Sequence, residues 1–282
     1  MIIFSKLFHI AFLISRNNVR NFSNSYVTIE WCICSVEDLF ESGRKGYDWE
    51  GNEIDTESIK GSLKEKEILR QATEGLVFLH AMGFVYRNVK PSNFMIALVR
   101  RLNGNGFKYL VKVTDFRMSK NLVKQPGHSG QRGSEGWISP YPKINTMDNI
   151  ATSKENDGKE IINTHPSEDV FTLGCFYHYV LTNGEHPFGD VLHREVNIKN
   201  SDYEVYKSDW KPAGIKPEEI QAASLIKEMI KYHPIDRPVL KTILGRAYFL
   251  PDEYYKLYDL EADVKPGLCV IFNQNKFENV IS

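Results

Sequence analysis

The sequence predicts an α+β domain that is mainly helical and carries a small β-sheet at one edge. Apolar residues at helical spacing, or an apolar surface all round, mark three segments as helices: 63–82, 169–184 and 218–230. The short apolar runs 94–99 and 108–113 flank the sequence NGNG at 103–106, which is a strong hairpin signal. The order of strand, helices, hairpin, loop and helices favours a helical body with the sheet at its edge.

The elements before the first long helix are short. Residues 25–34, SYVTIEWCIC, are mostly apolar and rich in strand-forming types, which predicts a buried strand. Ser35 follows and can cap a short helix that carries Leu39 and Phe40. Residues 41–60 are polar and contain glycine, so we expect a loop there.

The helix over 63–82 has the clearest pattern. Its apolar residues recur at helical spacing: Ile68, Ala72, Leu76 and Leu79. Gly83 then ends the helix. Beyond the hairpin, residues 118–136 and 142–168 are polar and predict surface loops, whereas residues 251–282 show no clear pattern.

Composition excludes several classes of protein. The chain has 282 residues, of which 42% are hydrophobic and 25% charged, as in an ordinary globular protein. Its net charge of −1 gives no general attraction to nucleic acid or to an anionic membrane, so we expect no nucleic-acid partner. The four cysteines form no CxxC pair and no zinc spacing, which is typical of reduced thiols in a cytoplasmic protein.

Residues 1–17 form an apolar N-terminal segment that needs separate interpretation. MIIFSKLFHIAFLIS resembles the apolar part of a signal peptide or a weak anchor, but Lys6, His9 and Arg16 interrupt or bound it. A membrane span needs about 20 apolar residues. We therefore expect an element at the edge of the domain and no firm membrane segment.

Four motifs follow one another along the chain, and their order is more specific than any one of them. They are YRNVKPSNF (86–94), TDFR (114–117), GSEGWISP (133–140) and the pair DVFTLG (169–174) with DRP (236–238). The first lies between a predicted helix and the hairpin, and the second directly follows the second strand of the hairpin. Each motif is a weak signal alone, whereas the series in matching structural context is a strong one.

With these motifs, residues 18–250 resemble the C-terminal lobe of a eukaryotic protein kinase. GSEGWISP, LTNGEHPFG and YVTIEWC make the chain similar to the inositol-requiring enzyme family, the stress-sensing kinase/endoribonucleases of the endoplasmic reticulum. The resemblance implies a protein-kinase-like fold, with a mainly helical C-lobe and a small hairpin and hinge sheet. No glycine-rich loop or Val-Ala-Ile-Lys strand precedes the hinge, so we expect a truncated domain whose N-lobe is largely missing.

The resemblance also implies roles for residues of the catalytic loop. Asn88 stands where the family has the aspartate that accepts the proton of the substrate hydroxyl. An amide has no useful basicity, and positioned general-base catalysis contributes roughly 10²–10⁴ in rate. Lys90 matches the lysine that contacts the transferred phosphate, whereas Asn93 and Asp115 match the pair that holds Mg²⁺. ATP and Mg²⁺ are therefore candidate cofactors.

The implied nucleotide site has a second part at the hinge. Glu30, Trp31 and Cys32 match the hinge, with Ile29 at the gatekeeper position, so Glu30 and Cys32 are candidate nucleotide-binding residues. Without the N-lobe, ATP would lose the cover over its adenine and the lysine at its α- and β-phosphates.

Three substitutions alter the family pattern elsewhere. Arg117 replaces the glycine after Asp-Phe; we expect a solvated arginine there, the alternative being contact with a phosphate. Tyr86 replaces a histidine and is expected to contact Phe116. Ser139-Pro140-Tyr141 lacks the glutamate that pairs with Arg237, so the Tyr141 hydroxyl or a nearby carboxylate is expected to substitute for it. Asp169 matches the aspartate that braces the catalytic loop through backbone N–H groups.

Two main functions remain open. The first is a pseudokinase that acts as a scaffold or regulator through protein partners, related kinases being candidates. The alternative is an ATP-dependent serine/threonine kinase with residual activity. A third reading is a truncated product that does not fold alone. Residues 251–282 are too few for the family's endoribonuclease domain, so we expect no RNase activity. We expect a cytoplasmic protein, the alternative being association with the endoplasmic reticulum membrane through residues 1–17.

Overall fold

The computed structural model describes five parts of the chain: residues 30–101, 106–122, 133–140, 165–200 and 217–250. Within them the architecture is α+β, with helices that form the body and three small antiparallel sheets. This agrees with the fold class predicted from the sequence.

The first described elements are short. Strand β1 (Cys34–Ser35) leads directly into helix α1 (Val36–Phe40), whose cap is the one predicted. The Ser35 hydroxyl accepts a hydrogen bond from the Asp38 backbone N–H at 3.1 Å, and the Asp38 carboxylate accepts one from the Ser35 N–H at 2.8 Å. These reciprocal bonds form a capping box, which satisfies two backbone donors.

Two predictions for this region need correction. Of the strand predicted over 25–34, residues 25–29 lie outside the described residues, and β1 includes only Cys34 of the rest. The loop predicted over 41–60 instead contains strands β2 (Gly46–Tyr47) and β3 (Glu53–Ile54), which pair with each other, and the start of helix α2 (Thr56–Ser62). Asp55 caps α2 by accepting hydrogen bonds from two backbone N–H groups.

The long helix α3 (Glu65–Ala81) confirms the predicted periodicity, and its buried residues include all four of the predicted apolar positions. It ends before Gly83, whose φ of 79° is in the left-handed region that suits glycine. Strand β4 (Phe84–Val85) follows.

The predicted hairpin is confirmed as strands β5 (Phe94–Arg100) and β6 (Phe107–Val113), with the turn residues 102–105 outside the described residues. The register pairs Phe94 with Val113 and Arg100 with Phe107. Strand β1 adds to the other edge of β5, so that the hairpin becomes part of a three-stranded sheet. Strand β7 (Lys120–Asn121) pairs with β4, so the segment 118–136, predicted as a surface loop, contains a strand in which Lys120 is buried.

Helix α4 (Ser167–Leu181) is the centre of the core, as its uniformly apolar sequence predicts. Every residue from Ser167 to Val180 is buried. Of the loop predicted over 142–168, only 165–168 are described, and α4 begins within them.

Two further helices follow α4 in the described residues. They are α5 (Arg194–Asn200) and α6 (Pro217–Met229), followed by 3-10 turns at Pro234–Asp236, Leu240–Gly245 and Ala247–Phe249. Helix α6 packs on α4, where Gly174 allows the close approach of Met229 and Ile230. No helix in the described parts of the chain is long and apolar enough to cross a membrane.

Candidate functional site

Helix α4 positions the loop 86–94 through one buried carboxylate. Asp169 is fully buried and accepts hydrogen bonds from the backbone N–H groups of Tyr86 at 2.7 Å and Arg87 at 2.6 Å. The predicted bracing role of Asp169 is therefore confirmed. The motifs did not indicate a further contact of Asp169. His80 Nε2 lies 2.8 Å from Asp169 Oδ2, and this contact links helix α3 to the same carboxylate.

The backbone of this loop is unusual at Arg87. Its φ is 63°, in the left-handed region that side chains other than glycine seldom adopt. Arg87 is buried, and its Nε donates to the Met118 carbonyl oxygen at 2.6 Å. Together with the bonds to Asp169, this contact fixes the turn from which the Asn88 side chain projects.

Asn88 is buried and uses both ends of its amide. Its Nδ2 donates to Asp115 Oδ2 at 3.2 Å, and its Oδ1 accepts a hydrogen bond from the Ser134 hydroxyl at 3.0 Å. The Asn88 carbonyl oxygen accepts from Asn93 Nδ2 at 2.8 Å. The side chain therefore links three segments of the site, but it offers no group that can take up a proton. The motifs had not indicated Ser134 as its partner.

Asp115 lies at the start of the 3-10 turn Phe116–Met118, with φ 53° and ψ 70°. This left-handed backbone brings the side chain of Arg117 back over the carboxylate. Arg117 Nε lies 2.6 Å from Asp115 Oδ1, and Arg117 Nη2 lies 2.8 Å from Asp115 Oδ2. The two side chains therefore form a bidentate ion pair. Arg117 is exposed, as expected, but it is not a solvated arginine without a partner.

The electrostatics of Asp115 follow from these contacts. The hydrogen bonds and charge of Arg117 hold the pKa of Asp115 below its usual value against the opposing effect of burial, and the Lys90 charge contributes a smaller lowering. Asp115 is therefore a carboxylate at neutral pH. Lys90 is half-buried at the end of the extended segment before the turn Pro91–Asn93.

Asn93 is buried beside these groups. Its carbonyl oxygen accepts from the Thr114 backbone N–H at 3.0 Å and from the Thr114 hydroxyl at 3.1 Å, which joins the loop to the residue before Asp115. The structure thus brings together four residues that the motifs single out: Asn88, Lys90, Asn93 and Asp115.

The fit of a Mg²⁺ ion depends on the oxygens that this group offers. Carboxylate and amide oxygens are the kind of ligand that Mg²⁺ prefers. In this conformation, however, both oxygens of Asp115 already accept hydrogen bonds, from Arg117 and from Asn88. Among the described residues no group of three or more His, Cys, Asp or Glu side chains is placed to hold a metal. An ion at Asp115 would compete with Arg117 for these oxygens.

The hinge residues lie against the hairpin. Lys112, which is almost fully buried, donates to Glu30 Oε2 at 2.6 Å, so the Glu30 carboxylate is part of an ion pair. The Ile33 N–H donates to the Ile96 carbonyl oxygen at 2.6 Å. Cys32 is half-buried, and burial, assisted by the Glu30 charge, raises the pKa of its thiol to about 11. Cys32 is therefore a neutral thiol at the edge of the site, whereas Ile29 lies outside the described residues.

Two packing expectations have clear outcomes. The rings of Tyr86 and Phe116 meet edge to face with centroids 5.8 Å apart, as expected.

Arg237 is buried and donates to three backbone carbonyl oxygens, those of Lys231, Ser167 and Tyr232, at 2.7–3.0 Å. Its guanidinium also lies over the ring of Phe171, 4.9 Å from the centroid. Backbone carbonyls thus provide acceptors where the sequence suggested Tyr141 or a carboxylate, and Tyr141 itself lies outside the described residues.

Comparison with known proteins identifies the framework of this site. The family model of the protein kinase domain matches residues 19–249. The serine/threonine-protein kinase/endoribonuclease ire-1 of Caenorhabditis elegans is 30% identical over 240 residues, which is 81% of this chain and 20% of that protein. The sensor for unfolded proteins in the ER ire1 of Schizosaccharomyces pombe is 30% identical over 248 residues, 85% of this chain and 22% of that protein.

A human relative extends the same pattern. The serine/threonine-protein kinase/endoribonuclease IRE2 of Homo sapiens is 27% identical over 235 residues, which cover 79% of this chain and 21% of that protein. The chain thus spans about a fifth of the length of these curated relatives. The match of the family model over most of the sequence, with the motifs in order around one braced loop, shows that the chain belongs to the protein kinase family.

Proposed function

We propose that this chain is a catalytically impaired kinase domain, a pseudokinase that acts as a scaffold or regulator in the response to unfolded proteins. The single observation that carries the proposal is the amide side chain at position 88. Its amide stands where the resemblance places the catalytic base, and it is held by hydrogen bonds to Asp115 and Ser134. An amide cannot accept the proton of a substrate hydroxyl, and that loss alone lowers the rate by roughly 10²–10⁴.

The link to the unfolded-protein response rests on the relatives, one of which is described as a sensor for unfolded proteins in the ER. Contacts with other proteins, related kinases among them, are the means by which a non-catalytic kinase domain would act. We propose a cytoplasmic location, and the three described cysteines support it, since they are free thiols, as is usual in a reducing compartment.

The experiment is a phosphotransfer assay on the purified chain with radiolabelled ATP, Mg²⁺ and a general protein substrate. The control is Asp115→Ala, prepared in parallel, because any contaminating kinase would be present in both samples. We expect equal incorporation of phosphate by the two proteins. Incorporation by the natural chain clearly above that of Asp115→Ala would overturn the pseudokinase proposal.

That outcome would favour the second candidate, a serine/threonine kinase with residual activity. A specific observation supports this alternative. Asp169 braces the loop through two backbone N–H groups, and Lys90, Asn93 and Asp115 lie together around Asn88. The positioning groups are therefore retained, and positioning and electrostatic stabilisation supply most of the catalysis in phosphoryl transfer.

A further inference from the structure

The guanidinium of Arg117 lies against both oxygens of Asp115, which are the oxygens that a metal ion at this carboxylate would use. Nε and Nη2 of the guanidinium donate to one carboxylate oxygen each. Asn88 Nδ2 donates a further hydrogen bond to Oδ2, the third that the carboxylate accepts. A carboxylate that is already paired with a fixed cation attracts a second cation much less strongly. Mg²⁺ also demands near-octahedral oxygen coordination and loses its water reluctantly, so it competes poorly for a ligand held in this way.

The opposite edge of the same guanidinium faces solvent. The Arg117 side chain is 86% exposed, and only its Nε and Nη2 groups contact Asp115. A guanidinium carries five N–H donors, so donors remain for a second anion. The planar fork of arginine matches the oxygens of a phosphate as well as those of a carboxylate.

Lys90 supplies a second positive charge at this point. It follows Asn88 by two residues in the same loop, its charge lowers the pKa of Asp115, and the resemblance matches it to the lysine that the family directs toward the transferred phosphate. A cation held by Asp115 and a lysine beside it place two positive charges where Mg²⁺ and lysine would face a polyphosphate, with one charge fewer than that pair supplies. Here both charges belong to the chain itself.

We propose that Arg117 takes the place of the divalent cation, so that Arg117 and Lys90 bind the phosphate groups of a nucleotide without metal. This inference rests on the proposed function, because it treats the site as a binding site and not as a catalytic one. A nucleotide bound in this way would act as a structural ligand of the domain, and its binding would not respond to Mg²⁺.

The test is calorimetric titration of the full chain with ATP, once in EDTA and once in Mg²⁺, with adenosine as the ligand that lacks phosphates. We expect the two ATP affinities to agree within about twofold and adenosine to bind at least about tenfold more weakly, since a hydrogen bond to a charged group contributes roughly that factor. Arg117→Gly should lose about tenfold or more in EDTA and regain affinity when Mg²⁺ is added. In the double variant Arg117→Gly/Asp115→Asn, Mg²⁺ should no longer restore binding.

Two controls separate the site from general effects. Arg44→Gly removes another exposed arginine that pairs with a carboxylate, that of Glu41 at 2.7 Å, and should leave ATP binding unchanged. Arg117→Gln serves if the glycine variant fails to fold, because it removes the charge while it keeps a side chain of similar length. Thermal unfolding of each variant checks the fold.

Three results would overturn the inference: ATP that binds only with Mg²⁺, ATP that binds no more tightly than adenosine, or no binding of ATP in either buffer. The first two results leave open whether the chain transfers phosphate, whereas a chain that binds no ATP cannot transfer phosphate from it, which would agree with the proposed function. Conversely, a chain that transfers phosphate but binds ATP equally in EDTA would refute the proposed function and leave the metal-independent site intact.

Discussion

An amide at position 88 changes the charge of the site as well as its chemistry. With Asn88, the carboxylate of Asp115 faces an N–H donor and two cationic side chains, Arg117 and Lys90. With an aspartate at the same place, two carboxylates would lie about as close as the 3.2 Å that now separates Asn88 Nδ2 from Asp115 Oδ2. The amide at position 88 therefore avoids the charge repulsion that a second carboxylate would create beside Asp115.

We predict that Asn88→Asp destabilises the folded chain more at pH 8 than at pH 5. Two close carboxylates cannot both ionise freely, so the pKa of one of them rises in the folded state. A carboxyl group with a raised pKa in the folded state loses stability as the pH rises, by about 1.4 kcal/mol for each pKa unit. Urea unfolding of Asn88→Asp and of the natural chain at both pH values measures the difference.

Asn88→Ala is the matched control, because it removes the same hydrogen bonds without adding a charge. Its loss of free energy of unfolding should be nearly the same at pH 5 and pH 8. An equal pH dependence for the Asp and Ala variants would show that charge repulsion at Asp115 is not what distinguishes them.

At this scale the sequence predicted which residues meet but not how they pair. Asn88, Lys90, Asn93 and Asp115 belong to motifs with fixed spacing, so their proximity follows from the resemblance. The Arg117–Asp115 pair does not, because it depends on the left-handed backbone of Asp115, and no residue pattern specifies φ at that position. Ser134 was missed for a similar reason: 46 residues separate it from Asn88 in sequence, and only the folded chain joins them.

At the scale of elements, the length of a segment decided how well it could be predicted. Helices α3 and α4, of 17 and 15 residues, show several turns of consistent pattern, and the hairpin has two seven-residue strands. Helix α2 has only seven residues, contains Gly61 and buries only Thr56 and Ile59. Two turns with so small a buried face leave no periodicity to detect, and tertiary packing determines the structure there.

Two glycines in helices test the packing between these elements, and we predict opposite effects for them. A Cβ at Gly174 would lie 2.7 Å from Ile230 Cγ2 and 2.8 Å from Met229 Cβ, closer than atoms pack. Gly174→Ala should therefore separate α4 from α6 and cost about 1–3 kcal/mol of stability, as overpacking does. A Cβ at Gly61 in α2 would meet nothing within 4 Å.

Gly61→Ala is the matched control, and it should stabilise the chain by about 0.5–1 kcal/mol, because alanine restricts the unfolded chain more than glycine does. Thermal and urea unfolding of both variants provides the comparison. A Gly174→Ala variant that is as stable as Gly61→Ala would mean that α4 and α6 do not approach as closely as described.

In the described residues up to Phe249 the core lies around α4, and it contains polar rings as well as apolar side chains. His178 and His186 are both buried. His186 lies against the ring of Trp137, with centroids 4.7 Å apart, and near that of Phe188. Its Nδ1 accepts a hydrogen bond from the Phe188 N–H at 3.2 Å. The motif segment 133–140 thus joins the helical core through aromatic contacts with a buried imidazole.

These imidazoles make the stability of the fold sensitive to mild acid. Burial lowers the pKa of His186 well below its usual value, with the charges of Arg194 and His178 acting in the same direction. Burial also lowers the pKa of His178, although its contact with the Glu185 carbonyl opposes the effect. Below about pH 6.5 the unfolded chain therefore binds more protons than the folded one, and the free energy of unfolding falls as the pH falls.

We predict that lowering the pH from 8 to 5.5 destabilises the chain, with a slope below pH 6.5 that approaches about 1.4 kcal/mol per pH unit for each histidine that stays neutral. His186→Asn should reduce this slope, because its amide oxygen can accept the Phe188 N–H but does not titrate. His233→Asn, at an exposed histidine outside the core, is the control and should leave the slope as it is. Urea unfolding at pH 8, 6.5 and 5.5 measures all three proteins. A slope that His186→Asn does not change would mean that this imidazole is not kept neutral by its burial, and the acid sensitivity of the fold would have to arise from other groups.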